Sequence, residues 1–187
     1  MGHMKSTEFL LQQHKHLVAA SDVLSEIAGN VEGGCAVNEA DVADLLRFLE
    51  EFGDRYHQGV EEGVLFPALL LDPAQKHYHR LHGLIFEHER QRSLIEGLHD
   101  SLFTKNNKDF VYYARRLNEV LRAHIKEEEE VLFPLVESTL SVADDDRVAL
   151  EMKAFDTAWQ ERELNDLLRR LSAMKSKYLA APTGRNP

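Results

Sequence analysis

Apolar residues recur every three or four positions along most of this 187-residue chain, while prolines and strand-like alternation are scarce. That period restricts the chain to helices that each bury one stripe. Leu10, His14, Leu17, Ser21, Leu24 and Ala28 make the first stripe, bounded by the breakers Gly29-Asn30 and Gly33-Gly34. Leu46, Leu49, Gly53, His57, Val60 and Val64 make the second, behind Asn38 as the expected N-cap. A third takes Tyr78, Leu81, Ile85, His88, Arg92, Ile95, His99 and Leu102, with Asp72, Pro73 and Gln75 as its start signal. Phe110, Tyr113, Leu117, Val120, His124, Glu128, Leu132 and Leu135 form the fourth. Val148, Met152, Phe155, Trp159, Leu164, Leu167 and Leu171 mark a fifth segment.

The expected fold is therefore all-α. An up-down-up-down four-helix bundle occupies residues 6–140, and an additional C-terminal helix at 141–180 packs on the bundle or on a partner subunit, as in a possible homodimer. Residues 1–5 read as a disordered expression remnant, so His3 is set aside, and 181–187 as a disordered tail. Asp and Glu outnumber Lys and Arg by 32 to 22, a net charge of −10 that argues against a nucleic-acid surface. No apolar run reaches the roughly 20 residues needed to span a bilayer, so no membrane partner is expected. Cys35 is the single cysteine, which excludes an intrachain disulfide and fits a reducing compartment, the cytoplasm.

Chemistry enters where histidine interrupts the stripes. His14, His57, His88 and His124 each take an inward position, one per bundle helix. Glu61 follows His57 by four and Glu128 follows His124 by four, inside the twin stretches "HQGVEEGVLFP" and "HIKEEEEVLFP". Four residues at ~100° each leave an offset of ~40°, so each pair points to one side of its helix. Counting from the turns, neighbouring antiparallel helices place these histidines about 21–28 Å deep, at similar heights. A lone seam histidine is ordinarily a satisfied core residue, and most of Glu127–Glu130 belongs to solvent. Six such side chains at one depth are different, because burying them unpaired is costly and a bound metal satisfies them together.

Four imidazoles and two carboxylates exceed one tetrahedral zinc and lack the all-oxygen character that calcium or magnesium prefer. They suit two first-row ions, iron first, with manganese or zinc behind it. With Glu61 and Glu128 bridging, positions remain for an oxo, hydroxo or water bridge and for an outside ligand. A ferritin-like centre would need a repeated Glu-x-x-His, and only Glu96-His99 has that form. Tyr56 and Tyr113 lie near the core, and Glu62 and Glu127 adjoin the metal-facing residues as candidate acceptors behind them. Pro67 and Pro134 are expected to kink or end their helices.

His14 in "QQHKHL", His57 and Glu61, His88 in "EHERQR", and His124 and Glu128 together resemble the hemerythrin-like family of HHE cation-binding domains over about residues 6–140. The resemblance implies a four-helix bundle around a non-haem di-iron centre that binds dioxygen or another small inorganic ligand, or senses iron or redox state. Peroxide or nitrogen-oxide handling of a catalase or peroxidase type is the enzymatic alternative, and a metal-stabilised interaction protein is the third. Oxygen-carrying members have a fifth histidine four residues from another on the third helix. Here the positions four either side of His88 are Leu84 and Arg92, so the pattern resembles the subgroup with four His and two Glu.

Overall fold

The computed structural model describes residues 4–71, 77–159 and 161–180, and its regular elements are all helical. Helix α1 is Lys5–Glu32. Helix α2 begins as Glu39–Phe48, widens into π-helical turns at Leu49–Gln58 and Glu61–Leu65, and finishes as Phe66–Leu70. Helix α3 is Tyr78–Phe103. Helix α4 begins as Asn107–Glu127, widens at Glu128–Leu132 and finishes as Phe133–Thr139. Two more helices follow, α5 at Val142–Ala158 and α6 at Glu161–Tyr178.

Local chemistry sets the ends. The Asn38 side chain accepts the Asp41 amide at 3.2 Å, and Asn106 accepts those of Lys108 and Asp109 at 3.1 and 3.3 Å. Both satisfy amides that a first turn leaves over. Helix α1 runs through Gly29-Asn30 and stops only where Gly34 takes a φ of +93°, a conformation that glycine adopts without steric cost. The expected cap at Asp72, Pro73 and Gln75 lies outside the described residues, as do His3 and the tail 181–187. Lys5, expected in a disordered start, already opens α1.

Pro67 and Pro134 do not end their helices, which continue to Leu70 and Thr139. The Phe66 amide bonds the Glu61 carbonyl and the Phe133 amide bonds that of Glu128, a five-residue step in each case. Each proline then stands in the first turn of the α-helical stretch that follows, where a missing amide is tolerated.

Side-chain pairings give the helix directions. Gln13 meets His57 on α2, Glu50 meets His99 and Asp54 meets Arg92 on α3, and Asp22 meets Arg122 while His14 meets Glu129 on α4. Low numbers on one helix meet high numbers on the next, so neighbours run antiparallel. The apolar core divides into two clusters. One is built from residues such as Leu24, Leu46, Phe48, Leu98 and Phe110, the other from Leu10, Leu65, Phe66, Leu81 and Phe133. A polar layer lies between them.

The single expected C-terminal helix is two helices, because Trp159 turns extended at ψ 141° after Ala158. Both dock on their own bundle: Val148 and Met152 join the second cluster, Leu167, Leu171 and Met174 the first. Asp145 ties α5 to the start of α1. Its buried carboxylate accepts the Lys5 amide at 2.9 Å, the Ser6 amide at 3.2 Å and the Ser6 hydroxyl at 2.5 Å. An N-cap supplied from 140 residues away makes α5 part of the folding unit. Asp145→Ala leaves these donors unpaired and should cost about 2 kcal/mol. Thermal unfolding of the variant should fall by about 4–8 °C; an unchanged midpoint would show that the cap contributes nothing.

Candidate metal centre

His14, His57, Glu61, His88, His124 and Glu128 meet in the polar layer, none more than 2% exposed. His57 lies in one π-helical stretch, and Glu61 and Glu128 each open another, so the widened turns of α2 and α4 lie at or beside the paired residues. Glu61 divides its oxygens: Oε1 lies 3.5 Å from His57 Nε2 and Oε2 lies 3.4 Å from His88 Nε2. Glu128 does the same, with Oε2 at 3.2 Å from His14 Nε2 and Oε1 at 3.1 Å from His124 Nε2. Two donor groups result, His14-His57-Glu61-Glu128 and Glu61-His88-His124-Glu128, each with its atoms within 4.8 Å of one another. Both carboxylates belong to both groups.

Each imidazole is held from behind through Nδ1. Glu129 Oε1 stands 2.9 Å from His14 Nδ1, Gln13 Oε1 2.9 Å from His57, Glu62 Oε1 2.7 Å from His88, and Glu87 Oε2 2.8 Å from His124. Every one of these partners is an acceptor, so Nδ1 carries the proton and the Nε2 lone pair turns inward. Phe133 stacks on the His14 ring with planes 16° apart, and Phe66 on His88 with planes 14° apart. The repeated Phe-Pro ending thereby explains itself: each copy clamps the histidine of a neighbouring helix.

The interior of the layer is an array of acceptors facing acceptors. His14 and His57 Nε2 and all four oxygens of Glu61 and Glu128 are buried without a hydrogen-bond partner. His88 and His124 Nε2 are only 3.1 Å apart. The donor set, four nitrogens and four oxygens that divide evenly around shared carboxylates, is one that could hold metal.

The residues behind the histidines are where sequence reasoning fell short. Glu62 takes the expected part, but Glu127 instead pairs with Arg80 on the surface. Gln13, Glu87 and Glu129 were missed. The offsets of the repeat contained the signal: 67 positions map Glu62 onto Glu129, and 74 map Gln13 onto Glu87. His16 packs edge-on against Phe52, His99 reaches outward to Glu50, and His79 and His82 are exposed. Tyr56 donates to Asp156 at 2.6 Å. Leu84 lies in the apolar core and Arg92 is bound by Asp54, Glu62 and Glu89, so neither supplies a seventh donor.

A family model described as the hemerythrin HHE cation-binding domain matches residues 5–136. The chain belongs to that family of cation-binding helical proteins. Comparison with curated proteins and with solved structures returned no match.

Protons compete for the same lone pairs. Burial lowers the His124 imidazole, but the Glu128 carboxylate outweighs it and pushes it up to about 10. Burial, followed by the Glu128 charge, pushes the Glu61 carboxyl up to about 7. Glu128 itself is held well below the usual carboxylate range, because burial is overcome by His124 and His14. His57 falls well below an ordinary histidine through burial and the His14 charge. The metal-free protein therefore holds protons within the layer, on the imidazoles that the buried carboxylates raise and on the Glu61 carboxyl. A metal ion must expel them, so zinc(II) uptake should release protons and tighten up to tenfold per pH unit for each proton released. Calorimetric titrations in buffers of different ionisation enthalpy, between pH 6 and 8, should show this release; proton-neutral uptake would refute it.

Proposed function

We propose that the chain holds a non-haem di-iron centre which binds dioxygen or a related small ligand, or senses iron or redox state. The proposed ligands are His14, His57, Glu61, His88, His124 and Glu128, with both glutamates shared between the ions. The observation that carries this reading is the facing array of buried acceptors, whose carboxylate oxygens have no hydrogen-bond partner. A core does not keep such an array without a compensating charge. Iron held there would supply one-electron redox chemistry and open coordination positions for a small ligand.

The protein's own part is orientation and exclusion. Glu129, Gln13, Glu62 and Glu87 hold the ring tautomers and angles. Phe66 and Phe133 seal one side of the layer, and the cluster of Leu17, Leu121 and Ile95 the other. Six protein ligands for two ions, with Leu84 and Arg92 where a fifth imidazole would have to come from, favour an outside ligand. That shortage also supports a second reading, an enzyme that consumes peroxide or reduces a nitrogen oxide. The third reading loses its motive: α5 and α6 spend their apolar faces on their own bundle, so a homodimer would need a different surface. Among the described residues no helix is long and apolar enough to cross a membrane. The exposed thiol of Cys35 supports the reducing, cytoplasmic setting.

Anaerobic loading with iron(II), metal counting, and absorption spectra after oxygen and after peroxide separate these readings. About two irons per chain and an oxygen-dependent band that reverses under vacuum are expected for carriage. Rapid peroxide loss, abolished in His124→Ala, would instead establish the enzyme. Glu128→Ala removes a ligand from both donor groups and should lower iron content to less than half. Full iron content in that variant would rule out the shared-carboxylate centre.

A further inference from the structure

On one face of the donor layer, between His57 and His124, lies a cavity of about 20 Å³. That is room for about one water-sized molecule. Leu17, Leu49, Ile95, Leu117 and Leu121 supply the apolar part of its wall. Asp54 and Arg92 also line it, together with Gln58 and Gln91, which are both buried to 4% exposure.

A chain of hydrogen bonds from the surface fixes how Gln91 stands. Asp54 accepts from Arg92 Nε at 2.7 Å and Glu62 from Nη2 at 3.0 Å. Arg92 Nη2 also donates to Gln58 Oε1 at 3.3 Å, which leaves the Gln58 amide to donate to Gln91 Oε1 at 3.1 Å. The Gln91 carbonyl is thus engaged, and its NH2 is the group left over. That NH2 is buried and has no hydrogen-bond partner. An unpaired buried amide is costly, and this one belongs to a residue that lines a cavity beside two of the proposed metal ligands. The repeat shows that packing does not require it: 74 positions earlier the corresponding residue is Leu17.

We propose that the Gln91 side-chain amide is a specificity-determining hydrogen-bond donor to a small ligand bound between His57 and His124. The ligand class is a molecule of two or three heavy atoms whose inner end lies at the metal centre and whose single outermost atom, a lone-pair acceptor, occupies the water-sized cavity. The proposal rests on the metal-centre reading. Gln91 acts on how tightly and in what orientation such a ligand binds; it is not a metal ligand. Gln58 and Arg92 are positioning residues that keep its NH2 turned to the cavity.

Azide is a suitable probe. Wild-type protein and Gln91→Leu are loaded with iron, their metal content is counted, and azide is titrated against each by absorption. Equal metal content with an azide Kd raised about tenfold in Gln91→Leu is expected. Gln58→Leu, which frees the amide to turn, should give a smaller loss with unchanged metal. In zinc-loaded wild-type protein, the nitrogen-15 resonance of the Gln91 NH2 should shift on adding azide. Equal azide affinity in the wild type and Gln91→Leu overturns the proposal. So does a Gln91 resonance that ignores azide, which would mean a resident water only. Two irons with no azide binding overturns the donor and spares the metal centre, whereas a wild type that takes up no metal overturns both.

Discussion

The structure depends on one demand: four imidazole nitrogens and four carboxylate oxygens must face one another inside an apolar bundle. Such an array repels itself unless a cation or protons occupy it. Each bundle helix therefore contributes to the layer, and the apolar core is split into a cluster on either side of it. The π-helical widening of α2 and α4 falls at the paired residues, in keeping with the tendency of such turns to gather at functional sites. In the metal-free state protons take the cation's place, which is why His124 is pushed up to about 10.

The site is built as two related halves. A helix pair supplies a histidine, then a histidine and glutamate, then a phenylalanine, and the second pair repeats the series. Each half also supports the other: α2 carries Glu62 and Phe66 against His88 of α3, and α4 carries Glu129 and Phe133 against His14 of α1. The relation breaks on one side of the layer. Gln13 is neutral where Glu87 is charged, so the His57 side is less strongly polarised from behind. Gln91 stands where the other half has Leu17, and Gln58 where it has Ile125. Polar groups that packing does not require sit beside His57 and His124, on the proposed ligand side.

The stripes of α1 and α2 were legible residue by residue: Leu10 to Ala28 and Leu46 to Val64 are buried as their spacing requires. The stripe of α3 was read in the wrong phase. Its buried line is Leu81, Leu84, His88, Gln91, Ile95 and Leu98, while Tyr78, Arg92 and His99 lie on the flank. Both lines alternate steps of three and four and both include His88, so periodicity alone could not choose between them. Arg92 and Gln91 are both polar, and only Leu98 against His99 offered a hydropathy tie-break. The packing of α3 against α2 decided it, by leaving Arg92 within reach of Asp54 and Glu62.

What the sequence determined by itself was the all-α class and which histidines and glutamates share one layer, because residue type, spacing and repetition are linear properties and a helix converts them directly into faces. The family membership follows from the same linear pattern. What only the tertiary structure decided was which residue stands behind each histidine, how each carboxylate divides its oxygens, and which glutamine amide is left buried without a partner beside the cavity. Those depend on distances between side chains on different helices, where a single step of helical phase exchanges Arg92 for Gln91.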